Sequence, residues 1–158
     1  MTAFQGKIQP IALSSSVQLA LGKHLLSCTP QEACGVLLGA AAAGGMRIND
    51  YMPMRNVAPD PLHAFVPDPQ EWVKALYLDP APIGLFHSHP HSSPWPSTAD
   101  IQGLPSLGAE FKVYLIGSPG SNGKEPPRLN GFYIDRQPGA DGNPNHRLLH
   151  APLYGLLR

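Results

Sequence analysis

The sequence predicts an α/β (α+β) fold: one domain built on a single mixed β-sheet flanked by helices. Three observations carry this. Short apolar runs with strand character alternate with longer amphipathic segments that have helix caps. The chain has 158 residues, enough to bury a core of its own, and shows no internal repeat and no linker long enough to divide residues 1–158. Its 19 prolines and 16 glycines fall mainly between these segments, so they read as stiff turns rather than disorder.

Residues 8–13 form a short first strand. Residues 14–27 form a helix, with serines at its start as N-caps, Pro30 just past its end, and Val17, Leu19, Leu21, Leu25 and Leu26 as its apolar residues. Residues 33–39 are apolar and bounded by glycine, which reads as a buried strand, although periodicity alone also permits a buried helix. Residues 40–45 are a small-residue turn. Residues 46–57 form one or two strands, interrupted at Pro53. A second helix starts with Asp68 as N-cap, Pro69 in the first helical position and Glu71 at the capping-box position. Trp72, Val73 and Leu76 face inward, and Pro80 ends it. Residues 83–87 are a strand, Ser97 or Thr98 caps a short helix through Leu104, and residues 111–116 are a core strand. Residues 118–127 form a polar loop. Residues 128–135 and 148–157 are late strands, or a strand and a short helix.

Composition excludes several function classes. Net charge is zero, with 11 basic and 11 acidic residues, and there is no basic cluster of the kind that nucleic acid requires. No apolar run reaches the length of a membrane span, and residues 1–7 lack the charged head and apolar run of a secretory signal, so the expected compartment is the cytoplasm. The two cysteines, Cys28 and Cys34, read as reduced thiols, Cys34 buried and inert among apolar neighbours. Oligomeric state has no signature here.

The chemistry is concentrated in residues 87–100, His-Ser-His-Pro-His-Ser-Ser-Pro-Trp-Pro-Ser-Thr-Ala-Asp. On a strand, side chains two apart project to one face, so His87 and His89 can converge on one ion. Ser97 and Asp100 are three apart and share a face of a helix. Two imidazoles and a carboxylate make three ligands for zinc and leave a fourth position open, the ligand count of a catalytic zinc site. His91 offers an alternative His87/His89/His91 set, but Pro90 interrupts the strand between the last two. His24, His63, His146 and His150 have no metal spacing and are assigned to surface or core packing. Upstream, Glu32 is one of only four glutamates and sits at the mouth of an apolar strand, where a carboxylate is costly without a partner. It reads either as a solvated strand end or as a general base beside a metal. Motifs for zinc deaminases, HExxH peptidases, serine hydrolases and P-loops are absent.

Glu32-Ala-Cys-Gly-Val-Leu-Leu-Gly39, followed by His87-Ser-His89-Pro90 and Pro96-Ser97-Thr-Ala-Asp100, resembles the JAMM (MPN-plus, Mov34) zinc metallopeptidases, and most of all their compact bacterial branch. Phe65-Val-Pro-Asp68-Pro69 adds to the likeness, which covers about residues 8–135 on element order. The resemblance implies a cytidine-deaminase-like JAMM/MPN fold. It implies Zn2+ on His87, His89 and Asp100, Glu32 as general base and acid, and Ser97 as the group that stabilises the tetrahedral intermediate. It also implies the substrate: an amide at the C-terminal tail of a ubiquitin-like sulfur-carrier protein or its adduct. Rival expectations are a non-catalytic module that binds such a tail and a small-peptide amidase of the same fold. Segments 92–96 and 53–65 are expected to wall the groove.

Overall fold

In the computed structural model, residues 7–121 and 126–156 are described. Eight strands and three helices follow in order: β1 (Ile11–Leu13), α1 (Ser15–Cys28), β2 (Cys34–Ala42), β3 (Gly45–Met54), α2 (Pro69–Leu76), β4 (Gly84–Ser88), α3 (Thr98–Gly103), β5 (Val113–Ser118), β6 (Arg128–Pro138), β7 (Pro144–Ala151) and β8 (Leu153–Tyr154). The strands make one mixed sheet in the order β7-β6-β5-β4-β2-β3-β1-β8. The pairs β4/β5, β1/β3 and β1/β8 are parallel, and the others antiparallel. This is the mixed α+β sheet the sequence predicts. Among the described residues no helix is long and apolar enough to cross a membrane. The N-terminal reading and part of the 118–127 loop fall on residues 1–6 and 122–125, outside the described residues.

The central strands are buried on both faces, which is why they read as unbroken apolar runs. In β4, Phe86 joins a core on the α1 side with Leu21, Leu25, Leu37, Val113 and Leu115. Leu85 joins a second core with Val36, Ala75, Leu104, Tyr114 and Ile116. Period two then puts His87 on the same face as Leu85, and His87 meets the ring of Tyr114 edge-on at 5.5 Å.

Several local expectations change. The first strand is shorter than residues 8–13, starting at Ile11. In α1, Ser14 caps Val17 N as expected, but Leu19 and Leu26 are 65% and 49% exposed; the buried face is Val17, Gln18, Leu21, Gly22 and Leu25. The 40–45 turn contracts to residues 43–44, with Gly44 at φ +81° and Gly45 at φ +143°, so β2 and β3 run almost to the hairpin tip. Pro53 does not interrupt β3. Beyond Ile48 the strand has β2 alone as a neighbour, and an open edge tolerates a residue with no N–H. Asp68 caps α2 through Gln70 N and Glu71 N. Glu71 makes no capping box; its carboxylate accepts from Arg55 N at 3.2 Å. Val73 is 51% exposed and Ala75 takes the buried place, beside Trp72 stacked on Phe111. Among the described residues no helix follows β6: residues 144–151 are a strand paired with it in a hairpin, and residue 157 of the predicted late element lies outside the described residues.

Candidate metal centre and active site

The site is built where β4 ends. His87 is its fourth residue and fully buried, with its ring stacked on Phe65 at 4.5 Å between centroids. Beyond the strand, His89 is held by its backbone, N–H donating to Gly117 O at 2.8 Å. Ser88, between the two histidines, points to the other side and accepts from Ala33 N at 2.8 Å. The H-x-H strand thereby fixes the residue next to Glu32. Asp100 arrives from α3. Ser97 is the N-cap: its Oγ accepts from Asp100 N at 3.1 Å, and its own N–H donates to Asp100 Oδ2 at 2.8 Å, a reciprocal capping box. The i, i+3 spacing therefore orients the carboxylate as well as starting the helix, and it settles the cap as Ser97 rather than Thr98.

The ligand atoms converge. His87 Nε2 and His89 Nε2 are 3.0 Å apart, and each lies 3.1 Å from an oxygen of Asp100. Among the described residues this is the group able to hold a metal; His91, exposed in the turn, is not part of it. The chemistry of the donor set fits a cation. His89 Nδ1 lies 3.0 Å from Ser93 O, a carbonyl that can only accept, so Nδ1 carries a proton and Nε2 is the nitrogen offered to the cluster. Burial lowers the pKa of His87 and keeps it neutral. Its Nδ1 is buried with no hydrogen-bond partner among the described residues, the remaining nitrogen of a ring whose Nε2 faces the cluster. The Asp100 carboxyl is held far below the usual range: burial opposes this, but the bonds to His87 and His89 outweigh it. His89 is raised, because Asp100 and Ser93 O together outweigh its burial. Two imidazoles and an ionised carboxylate crowded within hydrogen-bond distance are the arrangement a divalent ion stabilises.

Glu32 stands two residues before β2 with 8% of its surface exposed, and it lines the same cleft as His89, Ser97 and Asp100. Burial pushes its carboxyl up to about 7, with His89 pulling the other way. The cleft holds about 820 Å³, with Phe65, Val66, Trp72 and Leu107 among its apolar walls. Residues 62–65 line it, as expected of the 53–65 segment; of segment 92–96 only Ser92 does. Trp95 instead packs on His150 and Phe132. Of the other histidines, His24 lies 2.7 Å from Tyr51 OH, His150 packs on Trp95, and His63 lies 3.0 Å from Asp60 while also lining the cleft. Both cysteines are free, and burial pushes the Cys34 thiol up to about 12, which keeps it inert.

Sequence reasoning passed over Asn56. Its side chain makes four hydrogen bonds at the cleft wall, to Glu32 O, Ala64 O, Ala58 N and Val66 N. The signal was local: an asparagine two residues before the amide it caps is an Asx turn.

Strand β4 delivers His87, the turn beyond it His89 and α3 Asp100, beside a cleft that the buried Glu32 carboxylate also lines, which defines an α+β domain with a candidate metal centre at one strand end. Residues 14–129 match the prokaryotic homologues of the JAB domain, and the chain belongs to that family, the JAB/JAMM group its motif resembles. It is similar to the desampylase of Haloferax volcanii, 40% identical over 95 residues, 57% of this chain and 64% of that protein. It is similar also to a probable TtuB-protein conjugate cleaving protease of Thermus thermophilus, 34% identical over 83 residues, 50% of this chain and 53% of that one. The CysO-cysteine peptidase of Mycobacterium tuberculosis is 26% identical over 101 residues, 62% and 68% of the two chains. The chain thus spans less than two thirds of the first two relatives. A solution structure from Desulfitobacterium hafniense superposes with a TM-score of 0.65 at 27% identity, covering 94% of this chain and 95% of that one.

Proposed function

We propose that this chain is a zinc-dependent peptidase or isopeptidase that hydrolyses an amide at the C-terminal tail of a ubiquitin-like sulfur-carrier protein or its adduct. The observation that carries the reading is the buried Glu32 carboxylate lining the same cleft as His89 and Asp100, two members of the cluster that the buried His87 completes. The relatives, a desampylase, a probable protein-conjugate cleaving protease and a CysO-cysteine peptidase, support the substrate class.

His87, His89 and Asp100 would hold the zinc. When bound, zinc supplies a Lewis acid for the carbonyl and lowers the pKa of water to about 7. Glu32 takes a proton from the attacking water as its oxygen bonds to the carbonyl carbon, then delivers that proton to the nitrogen as the C–N bond breaks. The Ser97 oxygen already accepts from Asp100 N, which leaves its O–H free to donate to the oxyanion. The apolar walls exclude water from an extended tail.

The test is a panel of carrier-protein fusions and short peptides, with zinc and with a chelator. Cleavage of a carrier fusion at the end of the carrier's C-terminal tail, abolished by chelation and in Glu32→Gln, is the expected result. Stoichiometric zinc without hydrolysis of any fusion would leave a binding module instead. Preference for short peptides would leave a small-peptide amidase.

A further inference from the structure

We infer that Asn56 is a positioning residue, one amide that ties the backbone of Glu32 to the cleft wall packed on the metal-site histidine. The inference rests on the proposed function in taking Glu32 as the base. Asn56 follows β3, half-buried, opposite Pro67 in an isolated antiparallel bridge. Between these two residues the chain makes a loop closed by Val57 N donating to Val66 O at 2.8 Å.

An asparagine side chain offers two N–H donors and an oxygen with two lone pairs. All four are used. Nδ2 donates to Glu32 O at 3.0 Å and to Ala64 O at 2.9 Å. Oδ1 accepts from Ala58 N and from Val66 N, both at 3.0 Å. The acceptor half folds the loop, because Ala58 and Val66 lie near its two ends. The donor half ties that loop to Glu32. A second tether runs the same way, with Glu32 N donating to Pro61 O at 2.8 Å. Both backbone groups of Glu32 are therefore held by residues 56–61.

The same amide reaches the cluster. Ala64 and Val66, two of its partners, flank Phe65, whose ring stacks on His87. Asn56 thus sets the distance between the carboxylate that moves the proton and the wall against which a ligand ring rests. A half-buried network whose every member is satisfied still rigidifies what it joins, and losing Nδ2 leaves the Glu32 and Ala64 carbonyls without that donor. Asn56 touches neither the cluster nor the reacting atoms, so its effect reaches catalysis through Glu32.

The experiment uses the zinc-loaded full chain, Asn56→Asp and Asn56→Ala, and a carrier-protein fusion cleaved by the wild type. Asn56→Asp keeps the acceptors for Ala58 and Val66 and loses both donors, whereas Asn56→Ala loses all four bonds. The expected result for Asn56→Asp is a fall of about 10–100-fold in kcat with little change in KM and unchanged zinc content. Asn56→Ala should show the same fall with KM raised as well, because the wall loosens. Amide hydrogen exchange is the readout that a general loss of stability would not reproduce. The Glu32 amide should exchange faster in both variants while Leu115 and Ile116 in β5 keep wild-type protection. Wild-type kcat in both variants, or exchange accelerated as much in β5 as at Glu32, would overturn the inference. If the wild type cleaves no carrier fusion, the proposed function falls, and the exchange comparison alone decides the tether.

Discussion

Burial raises the Glu32 carboxyl to about 7, and a base must be ionised to accept a proton. Hydrolysis should therefore rise with pH and fall about tenfold per unit below the apparent pKa, which a bound cation moves to 7 or lower. The kcat/KM profile of a fusion substrate measures this, and a flat profile from pH 5 to 8 would remove Glu32 as the base. The same shift has a consequence for stability. A carboxyl whose pKa is higher in the folded state favours folding when protonated, and that contribution is lost as pH rises through about 7. Glu32→Gln should thus lose hydrolysis by a factor of about 10²–10⁴ while melting no lower than wild type at pH 8. Asp100→Ala has the opposite signature. It should release zinc and weaken the start of α3, because one carboxylate serves both, and unchanged metal content would remove it from the ligand set.

At the scale of the element, caps are the separable contribution. Ser14→Ala removes the acceptor for Val17 N at the head of α1 and should cost about 1 kcal/mol, read as a lower urea midpoint at unchanged slope. Elements whose signals are local were legible in the sequence. Asp68-Pro69 marks α2 by its cap, residues 83–87 mark β4 by its apolar run, and the S-x-x-D spacing of Ser97 and Asp100 marks α3. What was not legible depended on neighbours. Pro53 reads as a break until it is known that β3 has an open edge there. Leu19 and Leu26 read as core until the sheet sets which stripe of α1 it covers. Glu71 reads as a capping-box partner until Arg55 N offers a competing donor. His87, His89 and Asp100, which the fold brings together, and Glu32 were visible as a motif. Asn56 was not, since its meaning lies in groups from four other residues that only the folded loop assembles.

At the scale of the whole molecule, the sheet divides two cores, and the site depends on both. Phe86 is fully buried on the α1 side, directly between Leu85 and His87. Phe86→Ala should cost about 3–5 kcal/mol, enough to threaten folding, although the ring lies across the sheet from the metal cluster. Differential scanning of the zinc-free variant, compared with zinc-loaded protein, should recover part of that loss, because a ligand that binds only the folded state raises its stability. An equal melting temperature with and without zinc would mean that the cluster is not a tight site.

The order of strands has one more consequence, for the chain as it is being made. Ile11 in β1 donates to Pro152 O at 2.9 Å and pairs in parallel with Leu153 of β8. During synthesis β1 can meet β3 early, but its other side stays open until residue 154 has been added. Until then the nascent sheet carries a bare strand margin, a template on which a neighbouring chain could pair. Closing it is a contact between distant parts of the sequence, of the kind that forms slowly. The few residues of β8 act as a late seal, and the yield of folded protein should depend on them more than their length suggests.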